Sequence, residues 1–265
     1  MKHKEGNFKG YKDFNLYYQC WLPEGSTKAV LLVAHGFAEH SGRYQNLVNY
    51  FVPKGYAVYA LDHRGHGRSE GERVYAEQFT DYLADLKVFF DLVRKEYPKA
   101  KIFLVGHSMG ASISTAYTVK YQKELAGLIL SGGGITTKDT PAPRLRTVSG
   151  ALDASGLSRD KAVVDAYVND PLVYHGPVPD QRGSAIAEMR RQLPEQVPGI
   201  KLPILIMAGT AAPMGDAARS RALYEVVGSK DKTLKLYEGL LHEIFNEPEH
   251  KQVMADMEAW LAAHM

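Results

Sequence analysis

The sequence predicts an α/β protein: a mostly parallel central sheet with helices on both faces, interrupted once by a helical insertion. Three observations lead there. Short, continuous apolar runs such as Ala29-Val30-Leu31-Leu32-Val33-Ala34 read as strands covered on both faces, because a half-exposed strand would alternate. These runs take turns with segments of helical periodicity, the rhythm of strand–helix–strand units. After Gly132-Gly133-Gly134 the rhythm stops, and it resumes only at Pro203.

The elements follow in order. Residues 13–22 alternate like a half-buried strand, with the single cysteine, Cys20, in phase with Leu16, Tyr18 and Leu22, and Pro23-Glu24-Gly25-Ser26 turns the chain back. Residues 29–34 are the first covered strand. Residues 43–53 are helical, with Leu47, Tyr50 and Phe51 on one face and Gly55 closing the end. Strand 56–61 precedes Asp62-His63-Arg64-Gly65-His66-Gly67-Arg68-Ser69. Residues 79–97 carry apolar groups at helical spacing. Strand 101–105, helix 111–121 and strand 125–130 complete the first half. Beyond the triple glycine, weakly helical pieces at 161–168 and 183–192 are separated by prolines at 141, 143, 171, 177, 179, 194 and 198. We read that stretch as a helical insertion, since Ala162-Val163-Val164-Asp165-Ala166-Tyr167 can bury a face. Strand 203–208, helix 217–227, strand 233–237 and helix 251–263 then finish the chain. The expected division is core 1–131, cap 132–199 and core 200–265.

Composition narrows the function classes. At 265 residues, 45% hydrophobic and 23% charged, the chain can bury a sizeable core. A net charge of +2, with no long run of like charge, gives no electrostatic ground for a nucleic-acid partner. One cysteine excludes an internal disulfide and a cysteine-built metal site. The charged start, Met1-Lys2-His3-Lys4-Glu5-Gly6, lacks the apolar core of a signal peptide, and no run approaches the roughly 18 apolar residues of a membrane span. These features predict a soluble, cytoplasmic protein.

The chemistry centres on Gly106-His107-Ser108-Met109-Gly110. This is G-x-S-x-G, and it stands between an apolar run and a helix, the strand–turn–helix context the motif requires. Such a turn strains the serine backbone and pushes its Oγ into the open at the carboxyl edge of a sheet. Glycines flank it because side chains there would collide with neighbouring elements. Ser108 is therefore the candidate nucleophile. A serine needs a base within hydrogen-bond reach, and His242 is the histidine placed after the last strand and before the last helix.

With these residues in place, the chain resembles the monoacylglycerol lipase and lysophospholipase branch of the serine α/β-hydrolases over nearly its full length. His35-Gly36 with Glu39-His40-Ser41-Gly42-Arg43-Tyr44 is similar to that branch's oxyanion loop. The Asp62–Gly71 stretch resembles its fingerprint after the fourth strand. The serine elbow matches, although Ala111 stands where the branch often has another glycine. Asn169-Asp170-Pro171-Leu172 is similar to a cap signature, and Asp231–Gly239 followed by His242 resembles the strand and loop that deliver the catalytic histidine. The resemblance implies an α/β-hydrolase fold with a helical cap and a carboxylic-ester hydrolase acting through an acyl-serine. Its oxyanion hole would use the backbone amides of Phe37 and Met109, with Phe37 also walling the acyl pocket. His35, His40, His63 and His66 show no zinc spacing and are expected to be hydrogen-bonding scaffold. No metal, nucleotide or redox cofactor is implied.

The acid departs from the pattern. The branch ends the corresponding strand in Gly-Thr/Ser-x-Asp, whereas this chain reads Gly209-Thr210-Ala211-Ala212-Pro213-Met214-Gly215-Asp216, with Ala212 at the acid's position. Three readings stay open. The leading one is loss, which would impair turnover about ten-thousand-fold while leaving the oxyanion hole intact. The second relocates the acid to Asp216, whose plainer role is an N-terminal helix cap. The third moves it to the end of strand 125–130, where only Ser131, three glycines and the more distant Asp139 are on offer.

For substrate, the resemblance implies an acyl-ester or lipid small molecule: a monoacylglycerol, a lysophospholipid or a simple ester. Val163, Val164, Tyr167, Ile186, Met189 and Leu193 are candidates for lining the pocket, for transient membrane-surface contact through the cap, or for the cap's own core. Arg190-Arg191 reads as a solvated helix face, with a lipid headgroup as the other use. The runner-up function is a non-catalytic α/β-hydrolase that holds an acyl ligand. Oligomeric state is not legible.

Overall fold

Every central strand buries both faces, and the two faces look into different cores. The computed structural model describes residues 1–136, 153–177 and 185–265. Its strands are β1 (Lys2–Lys9), β2 (Asn15–Leu22), β3 (Ala29–Ala34), β4 (Tyr56–Leu61), β5 (Ile102–His107), β6 (Gly127–Ser131), β7 (Ile204–Gly209) and β8 (Lys232–Tyr237). They form one sheet in the order β1-β2-β4-β3-β5-β6-β7-β8. β1 and β2 are antiparallel, β2 meets β4 antiparallel, and the other neighbours are parallel. The α/β-hydrolase architecture follows from that order.

The helices are α1 (Gln45–Phe51), α2 (Phe79–Glu96), α3 (Met109–Tyr121), α4 (Lys161–Asn169), α5 (Ala185–Gln196), α6 (Asp216–Val226) and α7 (His250–Ala263). Val30, Leu32, Ile102 and Leu104 pack with Leu86, Phe89, Ile113, Tyr117 and Leu223, so α2, α3 and α6 cover one face. Leu31, Val33, Phe103 and Val105 pack with Leu47, Phe51, Val253 and Met257 of α1 and α7 on the other. Alternate residues of one strand thus serve opposite cores, which is why these strands read as unbroken apolar runs. Cys20 is buried in the first core, as expected.

Several boundaries differ from expectation. β1 was read only as a charged chain start, yet all its residues pair with β2 in register. Only Phe8 of it is buried, so the strand carries no apolar pattern, and backbone bonding to β2 holds it. β2 begins at Asn15, after a tight turn in which Lys12 and Asp13 take positive φ. The helix expected over 43–53 is α1 flanked by 3-10 turns at Ser41–Tyr44 and Val52–Lys54, closed by Gly55 at φ 94°. α5 runs on to Gln196 with Pro194 in its last turn. Pro141, Pro143, Asp139, Val178, Pro179, Asp180 and Gly183 lie outside the described residues.

Between β6 and β7 the described elements are helical, as the broken rhythm predicts: α4, α5 and 3-10 turns at Ala154–Gly156 and Val197–Gly199. The carboxyl ends of parallel β3, β5, β6 and β7 share one edge of the sheet. The geometry of this architecture puts ligands outside that edge, and Ser108, His242 and Asp216 lie there.

Candidate active site

Ser108 sits between β5 and α3 at φ 54°, ψ −112°. A side-chain-bearing residue at positive φ costs on the order of 1–3 kcal/mol and persists only where its surroundings hold it. Here its N–H donates to Ser131 O at 3.0 Å, across from the end of β6. A Cβ on Gly110 would lie 2.0 Å from Ala34 O, and one on Gly106 would lie 2.6 Å from Gly110 O. Those contacts are the collisions that require glycine on both sides of the elbow. Ala111 fits where a glycine was expected because Gly133 faces it: a Cβ on Gly133 would meet the Ala111 methyl at 2.2 Å.

His242 lies over the same edge. Its ring centroid is 4.7 Å from that of His107, the residue before Ser108. A Cβ on Gly132 would come within 3.0 Å of its Nδ1 and Cε1. Asp216 Oδ2 is 2.6 Å from His242 Nδ1, both groups buried. That bond places the proton on Nδ1 and leaves Nε2 as the basic nitrogen. Asp216 is therefore no helix cap. It is the first residue of α6, swung into place by Gly215 at φ 70°, and the positive end of the helix dipole adds to its environment. Burial pushes its carboxyl up, but the charges and hydrogen bonds of His242 and Arg219 outweigh burial and hold it below its ordinary range. Ala212 is buried in the turn before it and gives its carbonyl to Gly215 N–H at 3.1 Å.

On the other side of Ser108, the loop after β3 is clamped by charge. Gly36 approaches closely, since a Cβ there would be 3.3 Å from Ser108 Cβ. Gly36 N–H donates to Glu39 Oε1 at 2.6 Å, and Tyr44 O–H donates to the same oxygen at 2.9 Å. Arg43 bridges Glu39 Oε2 at 3.0 Å and both oxygens of Glu243, the residue after His242. Burial alone would raise the Glu39 carboxyl, yet Arg43 chiefly, with His107 and His35, brings it down to about 2. Met109 is buried as the first residue of α3, where a backbone N–H has no intrahelical acceptor. Phe37 is partly buried and meets His66 edge-on at 5.9 Å.

The expected scaffold histidines behave mostly as scaffold. His35 donates from Nδ1 to Gly36 O and accepts His63 N–H at Nε2. His66 donates to Arg64 O, and His40 accepts from Gly42 and donates to Asp170 Oδ2 at 2.8 Å. His63 differs: neither ring nitrogen has a partner, and burial drives its basicity far down. Among the described residues no group of acidic, histidine or cysteine side chains could hold a metal ion.

The insertion reaches the histidine directly. His242 N–H donates to Gly156 O at 3.3 Å and Glu243 N–H to Leu157 O at 2.7 Å. Buried Glu247 bonds Leu241 N–H, Arg159 N–H and Arg159 Nε. Tyr167 is buried beneath the Arg43 guanidinium, 4.7 Å from its ring centroid. Met189 and Leu193 join the core over α3, with Ile186 partly buried beside them, and Val163 and Val164 are partly buried. Burial first, then the charge of Arg219, push the Arg190 guanidinium down to about 10. Arg190 is partly buried, whereas Arg191 is exposed and pairs with Glu188. Sequence reasoning passed over Arg43, Glu243 and Arg219; the i, i+4 pair Glu39–Arg43 inside the quoted loop was the available signal for the first.

The family described as serine aminopeptidase, S33, matches residues 25–249. A monoacylglycerol lipase of Mycolicibacterium smegmatis is 36% identical, with 98% of each chain covered. The Homo sapiens monoglyceride lipase is 32% identical over 93% of this chain and 86% of its own. In structure, Paleococcus ferrophilus monoacylglycerol lipase superposes at a TM-score of 0.80 with 28% identity, covering 94% of this chain and 99% of that one. The serine elbow, the histidine loop and full-length likeness together place the chain in the monoacylglycerol lipase-like serine hydrolase family.

Proposed function

We propose that this chain is a carboxylic-ester hydrolase of monoacylglycerol lipase or esterase type, working through Ser108, His242 and Asp216. One observation carries the triad: the 2.6 Å bond from His242 Nδ1 to Asp216 Oδ2. In this reading His242 Nε2 takes the Ser108 proton as Oγ attacks the ester carbonyl. The oxyanion is held by the backbone N–H groups of Phe37 and Met109. The imidazolium, steadied by Asp216, then gives its proton to the departing alcohol. Water repeats the sequence on the acyl-serine, releasing the acid and restoring Ser108. The acid of the triad is relocated, not lost, and Ala212 is a bystander.

The described parts of the segment 132–199 serve as a cap over this edge. The names of the relatives support a monoacylglycerol or related lipid ester as substrate. The single cysteine supports a reducing, cytoplasmic location, and no described helix is long and apolar enough to cross a membrane. The test is release of p-nitrophenol from short- and medium-chain esters, beside a monoacylglycerol and an aminoacyl p-nitroanilide. Ester turnover that disappears in Ser108→Ala is expected, and equal rates for the two proteins would sink the reading. The rival, a binder that turns nothing over, would retain an acyl ligand without covalent labelling of Ser108.

A further inference from the structure

Asp216 is held through both of its carboxylate oxygens. Oδ2 lies against His242 Nδ1 and Oδ1 accepts from Arg219 Nη2, each at 2.6 Å. Asp216 and Arg219 stand three residues apart at the start of α6, so their side chains share one face of the helix. An ion pair at that spacing is ordinarily a surface feature worth little. This one is buried, with the Asp216 side chain fully covered and that of Arg219 10% exposed. Among the described residues Asp216 is the acid that Arg219 pairs with, and Arg219 Nε has no hydrogen-bond partner. A guanidinium covered in this way is costly unless its bond to the carboxylate is kept.

The arginine is itself fixed from behind. Arg219 N–H donates to Gly215 O at 3.0 Å, and Arg219 O accepts from Ile135 N–H at 3.3 Å. Ser220 Oγ donates to Gly133 O at 2.7 Å. The chain leaving β6 therefore lies against the first turn of α6. Glycine permits that approach: a Cβ on Gly134 would collide with Arg219 O, and one on Gly132 would press on the His242 ring. The triple glycine that ends the strand–helix rhythm thus seats the histidine and the arginine on one stretch of backbone.

A carboxylate bonded through a single oxygen can turn about its Cβ–Cγ bond, a broad and soft torsion. Bonded through both, it is fixed in plane and direction. We propose that Arg219 is a positioning residue for the triad: it pins Asp216 Oδ1 so that Oδ2 stays on His242 Nδ1 while Nε2 takes and returns the proton. The proposal rests on the Ser108, His242 and Asp216 reading given above. The same guanidinium joins His242 in holding the buried carboxyl below its ordinary range.

The test is steady-state hydrolysis of a p-nitrophenyl ester by the full chain, measured across the pH profile. Arg219→Gln should lower kcat about tenfold or more through loss of a charge-assisted hydrogen bond, with KM little changed. It should also move the acid limb of kcat/KM to higher pH by about half a unit or more, because removing a positive charge beside the Asp216–His242 pair favours the protonated form. The other charged and titratable groups around the pair, His107 of the elbow and Glu243 with Arg43 and Glu39, are the same in the variant. Arg219→Lys, which keeps the charge, should hold the limb in place and recover most of kcat. On an Asp216→Asn background, Arg219→Gln should add no further loss, since the arginine acts through the carboxylate. Wild-type kcat in Arg219→Gln, an unmoved acid limb, Arg219→Lys no better than Arg219→Gln, or an undiminished further loss on the Asp216→Asn background overturns the proposal and leaves the triad standing. If the wild type turns over no ester, or Asp216→Asn keeps full turnover, the triad reading itself fails and the proposal falls with it. A collapsed melting transition in both Arg219 variants also overturns the proposal, because the arginine would then be structural.

Discussion

Asp216 shows how little a single residue's role depends on its position in a motif. Replacing it with asparagine keeps the shape but gives His242 Nδ1 an amide in place of a carboxylate. We expect kcat to fall about ten-thousand-fold, roughly 5–6 kcal/mol of barrier, with KM little changed. On the proposed triad, Ala212→Asp in the native background should not raise turnover; a gain of orders of magnitude would return the acid to position 212. Steady-state kinetics on the two variants decide it. Ser108 and His242 were legible in sequence as candidates because each stands in a fixed context, one between strand and helix, the other between strand and last helix. Asp216 was legible only as one alternative among three. What favours it is the left-handed Gly215, which turns the start of α6 toward His242.

Elements are held apart or together by single atoms at the elbow. Gly110→Ala would set a methyl carbon 2.0 Å from Ala34 O, a backbone atom of β3 that cannot move aside. We expect at least about 3 kcal/mol of destabilisation, or an insoluble protein, in denaturant melts. Gly199 is the opposite case: nothing lies within 4 Å of a Cβ there, and its φ is not in the left-handed region. Gly199→Ala should therefore stabilise by about 0.4–1 kcal/mol through the unfolded chain. The covered strands were legible at this scale because burial on both faces leaves an uninterrupted apolar run. β1 was not, since an edge strand held by main-chain bonds needs no apolar side chains.

Across the whole molecule, buried charge and buried histidine set the response to acid. Burial lowers His66 to about 3 and His107 to about 4, so these rings stay neutral when folded and take protons once unfolded below about 6.5. Glu39, at about 2 when folded, binds its proton in the unfolded chain near 4.5. All three shifts act in one direction. Their stabilisation is complete above pH 6.5 and is lost as pH falls, the histidines first and Glu39 from 4.5 toward 2. The melting temperature should decline from pH 6.5 and steepen below 4.5, and Glu39→Gln should flatten the lower part. A melting temperature constant from pH 7 to 4 would contradict this.

The two amides beside the base, His242 N–H on Gly156 O and Glu243 N–H on Leu157 O, carry a consequence for engineering. The insertion is usually the segment one would trim to obtain a smaller, more open catalyst. In this chain trimming would strip the histidine loop of its main-chain anchors and take Arg159 from Glu247 and the Tyr167 ring from Arg43. A minimised scaffold would keep every triad side chain and still misplace its base, so downsizing must preserve residues 156–167 even where the rest of the insertion is replaced.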